Sequence, residues 1–277
     1  MKILIRGAGD IATGIALRLY RAGMQVVMTD LPAPTAIRRT VCFSQAIILG
    51  EMTVEDVTAR RAETPDQAEA LLAQGLIPVL ADPDCTCRTR LRPDALVDAI
   101  LAKRNLGTKI DDAPIVVGIG PGFTAGEDCH AVVETMRGHT LGRVIYRGSA
   151  LPNTNIPGLI GGYAGERVLR APAEGIFCQK LEIGAVVRAG DVAGEVAGQP
   201  MRCTIDGVLR GILADGTPVF RGMKAGDVDP RCKPEYCTTA SDKALAVGGG
   251  VLEAVLHLHH RNRPAEKQSQ FTGGAIL

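Results

Sequence analysis

"KILIRGAGDIATGIALRLYRAGMQVVMTD", residues 2–30, decides how the first part of this chain reads. Lys2–Arg6 has the apolar run of a short buried strand. Asp10–Ala22 then carries Ile11, Ile15 and Leu19 at i, i+4 and i+8, one face of a helix. Gly23 stands where a helix end takes a left-handed residue. "QVVMT" (25–29) returns as a second strand, so the stretch predicts a βαβ unit.

The turn inside that unit, Gly7-Ala8-Gly9-Asp10-Ile11-Ala12, has the G-x-G-x-x-A spacing that seats a dinucleotide pyrophosphate. Gly7 permits the tight turn, Gly9 lets phosphate approach the backbone, and Ala12 lets helix and strand pack closely. Asp30 closes the second strand, where a carboxylate accepts ribose hydroxyls and repels a 2′-phosphate. Gly7, Gly9, Asp10, Ala12 and Asp30 are therefore expected to bind NAD or a related nucleotide. Asp10 is a discordant note, because it brings a like charge to the phosphate end of the helix.

Working outward, Thr35–Leu49 reads as a helix. Thr64-Pro65-Asp66-Gln67 opens another with cap, first-turn proline and capping-box glutamine in place. "LIPVLA" (76–81) is a third strand, and Pro78 suits an edge position. Pro93–Arg104 reads as a helix and "PIVVGI" (114–119) as a fourth strand, giving a small parallel sheet of order 3-2-1-4. "HAVVETM" and "RVIYRG" flank "RGHTLG" as a hairpin, followed by turn-rich residues 148–165. "GAVVRAGDV" (184–192) and "GTPVFRGMKAGDV" (216–228) echo each other. Two such halves resemble the barrel-sandwich scaffold of biotinyl and lipoyl domains, although the tip "AGQPM" (197–201) has no lysine to modify. An unrelated small β-barrel is the plainer alternative. Ser241 caps a last helix that runs to about His260 and carries three adjacent glycines, Gly248–Gly250.

The fold class expected is thus α/β plus β. A Rossmann-like nucleotide-binding domain occupies 1–126, a hairpin and glycine-rich connector 127–165, a barrel-sandwich-like (biotinyl/lipoyl-like) β-domain 166–232, and a C-terminal helix with a loose tail 233–277.

A second glycine loop, "GIGPGFTAGED" (118–128), follows the fourth strand. Gly120, Gly122, Thr124 and Gly126 are expected to close the other side of the nucleotide site with backbone N–H groups. His130 stands near Glu134 and is the candidate for acid–base work. Cys85 and Cys87, beside Arg88 and Arg90, are candidates for a reactive thiol in sulfur or selenium transfer. A turn-rich connector, a hydrogen-bonded histidine and chance cysteines are the plainer readings of the same residues. No second cysteine pair with ligand spacing completes a metal site, so none is expected.

Composition excludes some partners. The 277 residues carry 31 basic and 30 acidic side chains, a net charge of +1, which gives a nucleic-acid backbone or an acidic membrane nothing to hold. Aromatics are only 3%, too few to stack bases on. No run reaches the roughly 18 apolar residues of a membrane span, and the N-terminal residues lack the pattern of a signal peptide. Scattered cysteines without framework spacing fit reduced thiols. The expected location is the cytoplasm.

Five phrases together resemble one family: "RGAGDIATG", "GIGPGFTAGED", "VETMRGHTLGRVI", "GDVDPR" and "SDKALAVGGGVLEAVL". They look like the YqeB-type accessory family of the selenium-dependent molybdenum hydroxylase system, itself distantly similar to XdhC-type molybdenum cofactor maturation proteins. The resemblance implies a cytoplasmic accessory protein with a molybdenum hydroxylase as client and molybdenum cofactor as cargo. It supplies no catalytic residues. The expected function is a maturation factor that binds a nucleotide or a pterin cofactor. An NAD-dependent oxidoreductase using His130 is the rival, and a non-catalytic nucleotide sensor a third. Whether the chain forms a homo-oligomer is left open.

Overall fold

The computed structural model describes residues 1–154 and 156–262, so the expected tail from residue 263 onward lies outside the described residues. The first part runs β1 (Lys2–Arg6), α1 (Asp10–Arg21), β2 (Gln25–Asp30), α2 (Gln45–Leu49), β3 (Glu51–Val54), β4 (Val57–Ala62), α3 (Pro65–Ala73), β5 (Ile77–Ala81), α4 (Arg88–Leu91), β6 (Ala95–Asp98), β7 (Val116–Ile119), β8 (Thr124–Ala125), β9 (Ala131–Val133), β10 (Val144–Ile145) and β11 (Gly148–Ser149). It continues as β12 (Val168–Arg170), β13 (Gly175–Gln179), β14 (Val186–Val187), β15 (Val192–Val196), β16 (Gln199–Arg202), β17 (Gly207–Ile212), β18 (Pro218–Val219), β19 (Lys224–Asp229) and α5 (Asp242–Arg261).

The expected pairing of a Rossmann-like sheet with a barrel-sandwich domain does not stand. In place of a four-stranded parallel sheet, the described residues build a nine-stranded mixed sheet of order β10-β9-β7-β6-β1-β2-β5-β4-β3. Its interior ladders are parallel, and antiparallel strands β10 and β3 cap the two edges. The sheet runs past residue 126, because β9 pairs with β7 and β10 with β9. Residues 166–232 form two four-stranded antiparallel sheets, β12-β19-β17-β14 and β16-β15-β13-β18, around a shared core. The echoed segments do not form separate halves: β14 and β19 share one sheet, β15 and β18 the other.

Three local misreadings lie behind this correction. Residues 51–62 form the β3–β4 hairpin, which pairs with β5 and takes that strand away from the edge. Pro78 is still tolerated, since the β2–β5 ladder begins at Val79. Pro93–Arg104 is not a helix: Ala95–Asp98 is a wholly buried strand, and left-handed Leu101 and Lys103 stop any helical continuation. Thr35–Leu49 keeps only a 3-10 turn (Arg39–Val41) and the short α2. Tertiary bonds bend it, with Ser44 N–H donating to Ala8 O and Phe43 N–H to Thr13 Oγ1.

Other elements form as their residues predict. Thr64 Oγ1 caps α3 by accepting from Gln67 N–H at 3.2 Å, and Gln67 Oε1 reaches back to Glu63 N–H at 2.8 Å. Ser241 caps α5 by accepting from Ala244 N–H at 3.1 Å. The large sheet has a core on each face. One contains α1 and α5, including Ile15, Leu19, Val247 and Val251; the other contains α3, including Leu71 and Leu72. No helix among the described residues is long and apolar enough to cross a membrane.

The antiparallel body is tied to the large sheet through residues 37–40. Ile212 N–H donates to Ile37 O at 2.8 Å, and Arg39 donates to Ile212 O and Gln179 Oε1. Behind this joint Asp229, 1% exposed, accepts from the Arg231 guanidinium at 2.6 and 2.9 Å and pairs with buried Arg210 at 3.4 Å. Burial raises the Asp229 carboxyl, but these donors outweigh it and hold the group below its ordinary value. Its contribution is therefore present above the unfolded carboxylate value of about 3.9 and lost as pH falls through the folded one. Asp229→Ala is expected to cost about 3 kcal/mol at pH 7, because it leaves Arg210 buried with its partner gone. Thermal melts should show that gap narrowing at pH 3.

Candidate functional site

The parallel strands β1, β2, β5 and β6 end at one place. The chain leaves β1 for β2 on one side and β6 lies on the other, so the carboxyl ends open a crevice beside β1. Ligands of open α/β sheets bind in such crevices. Here it is a cavity of about 500 Å³ walled by Arg6, Gly7, Gly9 and Asp10 after β1, Thr29 and Asp30 at the end of β2, Pro83 and Asp84 after β5, and Ala99–Leu101 after β6. Thr35 and Ala36, in the segment that leads to the antiparallel body, complete one side.

The turn is built as the glycine spacing predicts. Gly7 has φ +105°, and a Cβ there would lie 2.8 Å from Ala99 O, so neither the conformation nor the space admits a side chain. Around Gly9, by contrast, a Cβ would meet nothing within 4 Å: the space it would fill is cavity. The first turn of α1 leaves the N–H groups of Asp10, Ile11 and Ala12 without an acceptor among the described residues. Ala12 is fully buried beneath the turn.

Asp30 holds the turn from the other side. Its Oδ2 accepts from Ala8 N–H and its Oδ1 from Leu31 N–H, both at 2.7 Å. Burial pushes its carboxyl above the usual range against those two donors. The charge of Asp10 is met by Arg38, a buried guanidinium 3.1 Å away that also donates to Tyr236 O. The discord at the helix N-terminus is thereby answered by a residue of the joint to the antiparallel body.

Arg6 is the floor of the site. Its Nε donates to Pro83 O at 3.1 Å, and its Nη1 to Leu106 O at 3.1 Å and Thr108 Oγ1 at 3.0 Å, with Asp98 Oδ2 at 3.4 Å. Thr108 Oγ1 in turn donates to Asp98 at 2.6 Å. One guanidinium thus gathers the loops after β5 and β6. Arg6→Met should strand the 2% exposed Asp98 carboxylate and cost about 3–5 kcal/mol in chemical denaturation. Beside Arg6, the Thr29 hydroxyl is fully buried and sits against the Cys85 thiol, whose pKa it helps to lower.

The other expected residues separate. Gly120, Gly122, Thr124 and Gly126 do not line the cavity. Their loop folds on itself: Thr124 N–H donates to Asp128 Oδ2 at 2.8 Å, Thr124 Oγ1 meets Ser149 Oγ at 3.1 Å, and Arg104 backbone occupies the space beside Gly122. His130 is also outside the cavity. Its Nδ1 accepts from Val116 N–H at 3.0 Å between β7 and β9, and burial lowers its pKa, both of which favour a neutral, structural imidazole. Glu134 accepts from the N–H groups of Thr135, Met136 and Leu151 and not from His130.

Cys85 and Cys87 are buried in the turn after β5, which Asp82 organises by accepting from Thr86 Oγ1 and Cys87 N–H. Arg88 and Arg90 face Asp112 and Asp66 instead of the thiols. The Cys87 thiol's hydrogen bond nevertheless holds Cys85 below its ordinary range, against burial, while Cys87 is pushed up. Cys85 borders a smaller cavity of about 140 Å³ that shares Arg6, Asp84 and Leu106 with the main one.

Sequence reasoning missed Arg6, Thr29, Arg38 and Asp98. The one legible sign was Arg6 itself, a charge at the end of a buried strand, directly before the glycines.

No protein-family model matches the chain. Over 266 residues it is 52% identical to the protein named "Uncharacterized protein YqeB" of Escherichia coli (strain K12), a match that covers 96% of this chain and 49% of that protein. The two are homologous over that span, and the name agrees with the resemblance read from the five phrases. The chain spans about half the length of this curated relative, and the relative's name assigns no activity. Among solved structures, an aspartoacylase family protein from Mesorhizobium loti is 13% identical with a TM-score of 0.24, over 53% of this chain and 60% of that one. A succinylglutamate desuccinylase/aspartoacylase from Rhodobacter sphaeroides is 21% identical with a TM-score of 0.22, over 49% and 58%. Likeness at that level carries no argument about this chain.

Proposed function

We propose that this chain binds a nucleotide, or the nucleotide part of a pterin cofactor, in the β1–β2–β5–β6 cavity. It then acts in the cytoplasm as an accessory protein in the maturation of a selenium-dependent molybdenum hydroxylase. One observation carries the binding step: a cavity at the carboxyl ends of parallel strands where N–H groups of a helix N-terminus lack partners. Such groups are costly to leave unpaired, and a ligand with phosphate oxygens satisfies them.

The residues present fit that ligand. Gly9 gives the backbone approach and the first turn of α1 gives the donors. Asp30 keeps free lone pairs after its two N–H bonds, which suits ribose hydroxyls. The accessory role rests on the five phrases and on homology to YqeB. Nothing favours the oxidoreductase reading, whose proton-transfer candidate His130 stands outside the cavity. Calorimetry with NAD, ADP and molybdenum cofactor tests the binding step. Hydroxylase activity in cells lacking the protein tests the role, and a null result in both would end the proposal.

A further inference from the structure

The cavity has an apolar side that the glycine turn and Asp30 do not account for. Leu31, Ile100 and Leu106 all line it, and they are 43%, 36% and 41% exposed. Single exposed leucines and isoleucines are ordinary on a protein surface. Three that converge on one cavity, from the loops after β2 and β6, make a wall for a flat ring. Arg6 brings the loop after β5 against this wall, since Pro83 O and Leu106 O both accept from its guanidinium at 3.1 Å.

Asp84 comes with that loop. It lines the same cavity, and the smaller one as well, in both cases with Leu106. Two other carboxylates of the cavity are already engaged, Asp10 by Arg38 and Asp30 by the N–H groups of Ala8 and Leu31. The Asp84 carboxylate has no hydrogen bond or ion pair among the described residues; only its backbone carbonyl is used, by Arg88. A free carboxylate repels phosphate and, as an acceptor without a donor, answers to N–H groups. The sheet order separates the two ends of a ligand. β2 lies between β1 and β5, so phosphate at the β1 turn and ribose at Asp30 leave the ring to Asp84 and the apolar wall.

We infer that Asp84 reads the edge of the ligand's ring, and that this ring carries an amide N–H beside an amino group. Guanine and pterins share that edge, which meets a carboxylate with two parallel N–H donors. Adenine sets its amino group beside a bare ring nitrogen, whose lone pair faces the second carboxylate oxygen and is repelled. The inference rests on the proposed cavity site and adds which ring that site selects.

The test is calorimetry of the full chain, in metal-free buffer, with GTP, ITP, ATP and neopterin triphosphate. GTP should bind about tenfold more tightly than ATP. ITP, which lacks the amino group, should fall between them. Neopterin triphosphate separates the two sources of the edge: binding tighter than GTP assigns a pterin, weaker binding a guanine nucleotide. Asp84→Asn should abolish the preference for GTP and favour ATP, because an amide accepts from the adenine amino group and donates to its ring nitrogen. The variant should melt as wild type does, since the carboxylate holds nothing in the fold. Equal affinity for GTP and ATP, or a preference for GTP that survives Asp84→Asn, overturns the inference and leaves the cavity site standing. No binding of any of the four overturns the inference together with the proposal beneath it.

Discussion

Gly9→Val should abolish nucleotide binding and leave the fold standing. Most glycine replacements in such a turn do damage twice, to backbone and to ligand. Gly9 separates the two effects. Its backbone is extended, at φ −71° and ψ −174°, a conformation open to any residue. The space around its missing Cβ is cavity and not protein. A valine there therefore fills the ligand's place at a cost in helix capping of about 1 kcal/mol. Calorimetry should show affinity for ADP reduced about 100-fold or more, with a melting temperature within roughly 4 °C of wild type. Unchanged affinity in a folded variant would place the ligand elsewhere.

Gly14→Val should have the larger effect on stability. The atoms facing its missing Cβ are the Cβ and backbone of Ala244, so a valine meets main chain that cannot turn aside. Overpacking of this kind costs about 1–3 kcal/mol and more where backbone must move. A loss of about 3 kcal/mol would lower the melting temperature by roughly 6–12 °C. Hydrogen exchange should rise across α5. Gly249→Ala is the counterpart. Its side of α5 is open, with nothing within 4 Å, so helix propensity alone acts and stability should rise by about 0.5–1 kcal/mol. A Gly14→Val protein that melts like wild type would contradict the close seam.

The contrast within Gly248–Gly250 shows what was legible. Three glycines in a helix announce that another backbone comes near, and α1 does so at Gly248. Nothing in the sequence says which backbone, or that only two of the three are needed. The βαβ unit at 2–30, the caps at Thr64 and Ser241 and the glycine turn were readable because each is a local pattern with a local cause. The β3–β4 hairpin, the strand at 95–98 and the bent segment 35–49 were not, because distant partners decide them. The same division runs through the site. Gly7, Gly9 and Asp30 are neighbours of their own turn. Arg38 meets Asp10 only through packing between remote segments, and the second glycine loop, so similar on paper, turns to Asp128 and Ser149 instead.

The return of α5 to α1 also sets a timetable. The apolar face of the large sheet and of α1 is covered by Ala244, Val247, Val251, Ala254 and Val255, all in the last described helix. During synthesis the antiparallel body at 166–232 emerges complete, while the sheet made long before it still lacks its cover. Until residue 258 or so has left the ribosome, the face of α1 and of the sheet that α5 covers stays open, and the nascent chain carries apolar surface that invites chaperones or aggregation. A chain halted before α5 would accordingly be unstable, so a secure fold arrives only with its final helix.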